Sequence, residues 1–80
     1  NERQLSSLKS GETSSLQRVS EVAEHDTPEL LRFLADNKFQ VGSNIEVIGI
    51  SSGAGTITVK VDGKTISMSI NAASKLWVES

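Results

Sequence analysis

Hydrophobic and polar side chains alternate most regularly over residues 56–70. Ile57, Val59 and Val61 fall on one face and Thr56, Thr58 and Lys60 on the other, the period of two of a half-buried strand. Asp62 and Gly63 follow at once, and this pair supplies the positive φ angles that a type I′ turn demands. A return strand over residues 64–70 then places Ile66, Met68 and Ile70 on one face. Upstream the period changes. Leu30, Leu31, Phe33 and Leu34 recur at three- and four-residue spacings and form one stripe of a helix, while Glu29, Arg32 and Asp36 face solvent. Pro28 pushes Thr27 out of the α region, so Thr27 reads as the N-cap and Pro28 as the first helical residue. Asp26 and Glu29 suit the positive end of the helix dipole, and Asn37 or Lys38 supplies the left-handed residue that ends the helix.

The remaining segments are shorter. In residues 45–50, IEVIGI, Ile45 and Val47 share one face, with Glu46 and Ile48 on the other. Residues 51–55, SSGAG, form a flexible loop. Residues 71–74 read as one helical turn, and Leu76, Trp77 and Val78 as a closing strand. Residues 13–20 carry Leu16 and Val19 in a poor period that suggests a first strand. Residues 1–12 are rich in Ser, Lys and Glu and read as a linker or partly ordered lead-in that docks through Leu5 and Leu8. The folded domain is then residues 13–80. About five strands with one short inserted helix make a mainly β protein, a small SH3-like barrel.

Eighty residues allow one core and leave little room for an enclosed catalytic pocket. With 8 basic and 10 acidic residues the net charge is −2, and no run of Lys or Arg forms the basic stripe of a nucleic-acid footprint. The chain has no cysteine, so neither disulfides nor a thiolate zinc site can hold it together, which suits a reducing cytoplasm. Its apolar runs are too short to span a membrane and its first residues too polar for a signal-peptide core. A single histidine, no cysteine and no G-x-S-x-G element argue against an enzyme. The SSGAG loop lacks the Lys and helix of a phosphate-binding loop.

The stretch from residue 20 to 48, SEVAEHDTPELLRFLADNKFQVGSNIEVI, resembles the C-terminal SH3-like domain of the diphtheria toxin repressor family, iron- or manganese-dependent transcription regulators. The likeness extends from about residue 5 to 79. It includes the glycines Gly53 and Gly55 before the central hairpin and the ending NAASKLWVE over residues 71–79. Related ferrous-iron transport A-like proteins share the pattern, with a Pro-Gly pair after the helix where this chain has Val41 and Gly42. The acidic residues before Asp-x-x-Glu-Leu-Leu look like the repressor version.

The resemblance implies that Glu21 and Glu24 are metal ligands. They would complete a Fe2+ or Mn2+ site held mainly by another domain of the parent protein. In the family's best-known branches the second ligand is an amide, so Glu24 adds charge to the site and alters metal preference. From spacing alone, two glutamates ahead of a helix are solvated charges favoured by its dipole. His25 matches no family ligand and reads as a surface histidine.

The implied function is that of a cytoplasmic regulatory domain in a metal-dependent repressor. Its partners are the parent's DNA-binding and dimerisation domains, and it reaches operator DNA only through them. The alternatives are a stand-alone accessory protein of ferrous-iron uptake, or an SH3-like adaptor for proline-rich segments, a linker in its own parent among them. Trp77 would anchor the last, but with no Tyr and two Phe the chain lacks an aromatic cluster, and Trp77 reads as core or edge packing.

Overall fold

A computed structural model describes residues 1–20 and 28–79. Its architecture is mainly β, as the periodicity implies. The strands are β1 (Glu2–Gln4), β2 (Thr13–Val19), β3 (Asn44–Ser51), β4 (Thr56–Val61), β5 (Lys64–Ser69) and β6 (Leu76–Glu79). Two helices join them, α1 (Pro28–Asp36) and the single turn α2 (Ile70–Ala73), with a 3-10 turn at Leu5–Ser7. The six described strands form one antiparallel sheet in the order β1-β6-β2-β3-β4-β5.

The β4–β5 hairpin has the expected turn, with φ of 49° at Asp62 and 88° at Gly63. Asp62 does more than turn the chain. Its amide donates to the Asn44 carbonyl and its Oδ1 accepts from the Asn44 amide, both at 3.2 Å, so the turn also holds the start of β3.

Strand β2 explains its own poor period. Leu16 lies opposite Val78 and Arg18 opposite Trp77, so two residues of β2 advance against one of β6. This bulge exposes Gln17 and Arg18 in succession and lets Leu16 and Val19 both turn toward the core. Ile48 is exposed, as its alternation with Val47 implies, and a second bulge between Val47 and Gly49 then shifts the register so that Ile50, also exposed, lies opposite Ile57.

Two boundaries differ from the sequence expectation. The return strand ends at Ser69, because the Ser69 hydroxyl accepts a hydrogen bond from the Ala72 amide and caps α2, so Ile70 starts a helix instead of ending a strand. The other difference is β1, which the polar triplet Glu2–Gln4 gave no reason to expect. It pairs with β6, and immediately after it Leu5 and Leu8 enter the core.

In α1, Leu30 and Leu34 are buried, whereas Leu31 lies on the flank and Phe33 is half-buried. The helix ends in a Schellman motif. Lys38 is the left-handed residue at φ 55°, its amide donates to the Ala35 carbonyl at 3.1 Å, and the Phe39 amide reaches back to the Leu34 carbonyl at 2.8 Å. A β-carbon in this conformation is strained, so Lys38→Gly is expected to stabilise the domain by about 1 kcal/mol. Urea titration checks this, as a raised midpoint with an unchanged slope.

The chain then turns over residues 40–43. The Ser43 amide donates to the Gln40 carbonyl at 2.9 Å, and Gly42 has φ 92°, the third-position requirement of a type II turn. Val41 holds the second position, where proline is favoured, in keeping with the Pro-Gly pair of the resembling proteins.

Candidate functional site

The proposed ligands Glu21 and Glu24 lie outside the described residues, as do His25, Asp26 and the Thr27 cap. Their flanks are described. On one side β2 ends in pairing with β6, Val19 opposite Leu76, and the Ser20 amide donates to the Lys75 carbonyl at 2.7 Å. On the other side the chain enters α1 at Pro28, with Glu29 in its exposed first turn. The backbone is therefore fixed one residue before Glu21, a Cα step of about 3.8 Å. Among the described residues no group of three or more His, Cys, Asp or Glu could hold a metal ion. Two hard oxygen donors suit Mn2+ or Fe2+ in kind but are too few to hold either, so such a site needs ligands from elsewhere.

Next to this exit Arg18 stacks on Trp77, its guanidinium carbon 4.7 Å from the ring centroid, and pairs through Nε with Glu2 Oε1 at 2.7 Å. The stack clamps β1, β2 and β6 together on their outer face. It also covers the face of Trp77, while Phe39 is buried in the core. The described residues thus offer no cluster of exposed aromatic rings on which a proline-rich segment could dock.

The turn into β2 is held by Glu12. Its carboxylate accepts from the Lys9 amide at 2.7 Å and pairs with Arg3 at 3.0 Å, and the amide bond foremost, then the Arg3 charge, hold its pKa below the usual 4.5. These bonds clamp the lead-in at the start of β2.

A cleft of about 510 Å3 opens where β2 leaves β3 for β6. Ser14, Ser15, Glu46, Lys60, Asp62 and Glu79 line it. No sequence spacing signals it, because its walls come from distant segments. The Ser14 hydroxyl donates to the Glu79 carbonyl and Asp62 is engaged with Asn44, so two of the lining side chains are already committed to holding strands. The SSGAG loop joins β3 to β4 with no helix behind it. No described helix is long and apolar enough to cross a membrane.

The FeoA domain family matches residues 3–80 of the chain. Among solved structures, a manganese-dependent transcriptional repressor in complex with manganese is similar at a TM-score of 0.87 and 30% identity, covering 99% of this chain and 36% of that one. IdeR of T. acidophilum is similar at 0.80 and 26% identity, covering 96% of this chain and 33% of that one. A FeoA protein from Chlorobium tepidum is similar at 0.81 and 25% identity, covering 95% of this chain and 68% of that one. The chain thus spans well under half the length of the repressors it matches. No curated protein sequence matches it significantly.

Proposed function

The chain belongs to the FeoA domain family, and from that premise we propose that it is the regulatory domain of a cytoplasmic, metal-dependent transcriptional repressor. The observation that carries this reading is the likeness, over nearly the whole chain, to part of a manganese-dependent repressor. In the proposed parent the domain contacts the DNA-binding and dimerisation domains. A bound Fe2+ or Mn2+ supplies a divalent charge between domains. Glu21 and Glu24 donate carboxylate oxygens to it, and the β2–β6 pairing that ends at Ser20 holds the chain in place just before them. Each carboxylate favours the bridged arrangement over the open one, and so shifts the population toward the form that binds operator DNA.

Replacing Glu21 and Glu24 together with alanine is expected to leave the melting temperature of the 80-residue chain nearly unchanged. In the parent protein it should raise the metal concentration needed for operator binding by about 5- to 150-fold, the usual span of a coupling between sites. Activation at unchanged Mn2+ and Fe2+ concentrations would remove the ligand role, with His25 next in line.

The stand-alone accessory role in ferrous-iron uptake has its own support in the likeness to the Chlorobium tepidum FeoA protein, two thirds of which this chain covers. A DNA-binding domain encoded in the same reading frame decides between the two.

A further inference from the structure

The pair that turns the β4–β5 hairpin also carries chemistry of its own. Asp62–Gly63 is the one place in the chain where an Asp or Asn is followed by glycine. Glycine has no β-carbon to crowd its amide nitrogen, so that nitrogen can reach the side-chain carboxyl carbon of the residue before it. In the reaction the Gly63 nitrogen bonds to Asp62 Cγ, a carboxyl OH and the amide hydrogen leave as water, and a succinimide ring closes. Water then reopens it. Attack at Cγ restores aspartate. Attack at the main-chain carbonyl carbon breaks the original peptide bond instead and leaves isoaspartate, with the chain running through the side chain.

Neither burial nor crowding opposes this step. Both residues are exposed, and no heavy atom beyond the chain neighbours lies within 4 Å of the place a Gly63 β-carbon would take. The backbone opposes it. Asp62 is left-handed, with φ 49°, as the first central residue of a type I′ turn. In that conformation the β-carbon crowds the residue's own carbonyl oxygen, so it lies on the side of the carbonyl carbon away from the Gly63 nitrogen. The carboxylate is then held on β3, where Oδ1 accepts from the Asn44 amide at 3.2 Å while the Asp62 amide donates to the Asn44 carbonyl at 3.2 Å. Ring closure therefore needs a rotation that undoes the turn and the loss of the Oδ1 bond.

We infer that Asp62 is an isomerisation site gated by the fold, closed in the native hairpin and open whenever the hairpin opens. Isoaspartate at this position thus accumulates with the time a chain spends unfolded. The product does not fit the turn. It adds Cβ to the main chain of a loop built for two residues, and it removes the side chain that holds Asn44. A chain altered in this way should fold to a less stable domain, with the start of β3 released.

The 80-residue chain is incubated at neutral pH beside a peptide of residues 58–66, each in buffer and in urea above the unfolding midpoint of the chain. Isoaspartate at residue 62 is measured by mass spectrometry, with fragmentation that separates the two linkages of equal mass. In buffer the chain should react at least about tenfold more slowly than the peptide, because reaction waits on a small open population. In urea the two should react alike. Inserting one glycine after Gly63 separates geometry from stability. A three-residue loop puts Asp62 in the right-handed region and leaves the left-handed position to glycine, so this variant, shown by circular dichroism to be folded, should isomerise several-fold faster than the native turn.

Equal rates for chain and peptide in buffer overturn the inference. So does isoaspartate that forms in urea first at Asp26 or Asp36, and so does a folded insertion variant no faster than the native chain. The isomerised chain, isolated and refolded, should have a lower urea midpoint than the unmodified one, and an unchanged midpoint refutes the predicted loss of the Asn44 hold.

Discussion

Leu5→Ala is expected to destabilise the domain by about 2–5 kcal/mol, the range for removing a fully buried leucine whose cavity cannot collapse. For a chain of this size that is a fall in melting temperature on the order of 10–30 °C. The reason lies in its position. Leu5 has no exposed surface and packs, through the 3-10 turn at Leu5–Ser7, against both α2 and β6. It follows a strand that closes onto β6, with the Arg3–Glu12 ion pair and the Glu12–Lys9 amide bond holding the segment around it. The measurement is thermal unfolding followed by circular dichroism. A loss below about 0.5 kcal/mol, the ordinary cost of a surface change, would mean that residues 13–80 fold without the segment before them, the boundary that the composition suggests.

Phe39→Ala should cost about 3–5 kcal/mol, the usual penalty for truncating a buried aromatic. Phe39 is 3% exposed and takes the second position after the helix, where the Schellman motif pairs it with Leu34, itself buried. The substitution removes core volume and also the apolar contact that seals the end of α1. Two readouts separate these effects. Phe39→Leu should recover most of the lost stability by refilling the core. Hydrogen exchange at the Asn37 and Lys38 amides, which bond to Phe33 and Ala35, should accelerate more in Phe39→Ala than exchange in β4. Uniform acceleration throughout the domain would show that Phe39 contributes volume alone and no role in ending the helix.

What could be read from the sequence follows from how local the determinants are. The β4–β5 hairpin was legible because the alternation and the Asp62–Gly63 pair fall within fourteen residues, Thr56–Val61 to Lys64–Ser69. The start of α1 at Pro28 was legible for the same reason. Strand β1 was not. Glu-Arg-Gln has no strand pattern, and its conformation comes from β6, more than seventy residues away. The two bulges were equally hidden. Each arises from a mismatch between partner strands, and a single strand carries no record of its partner's spacing, so Leu16 and Val19 seemed poorly phased, whereas Ile48 lies on the exposed side with Glu46 as its alternation implied. The shift of Ile70 from strand to helix turned on one serine cap, Ser69. Of the candidate site, the resemblance alone suggested Glu21 and Glu24. Their residue types fit a divalent ion, but ligands in another domain leave no mark in this chain. The Arg18–Trp77 stack near the end of β2 needed the bulge to be known first.

The pairing of Glu2 with Glu79 joins the two ends of the described chain. During synthesis the first strand therefore emerges long before its partner exists. The β4–β5 hairpin, with its short turn, can close as soon as it clears the ribosome, whereas β1, Leu5 and the Arg18 clamp have nothing to close onto until Trp77 and its neighbours have been made. Non-local pairing of this kind places folding among the slower small domains, roughly milliseconds to seconds. Until the last strand arrives, the nascent chain carries Leu5, Leu8 and Leu16 exposed to whatever surrounds it.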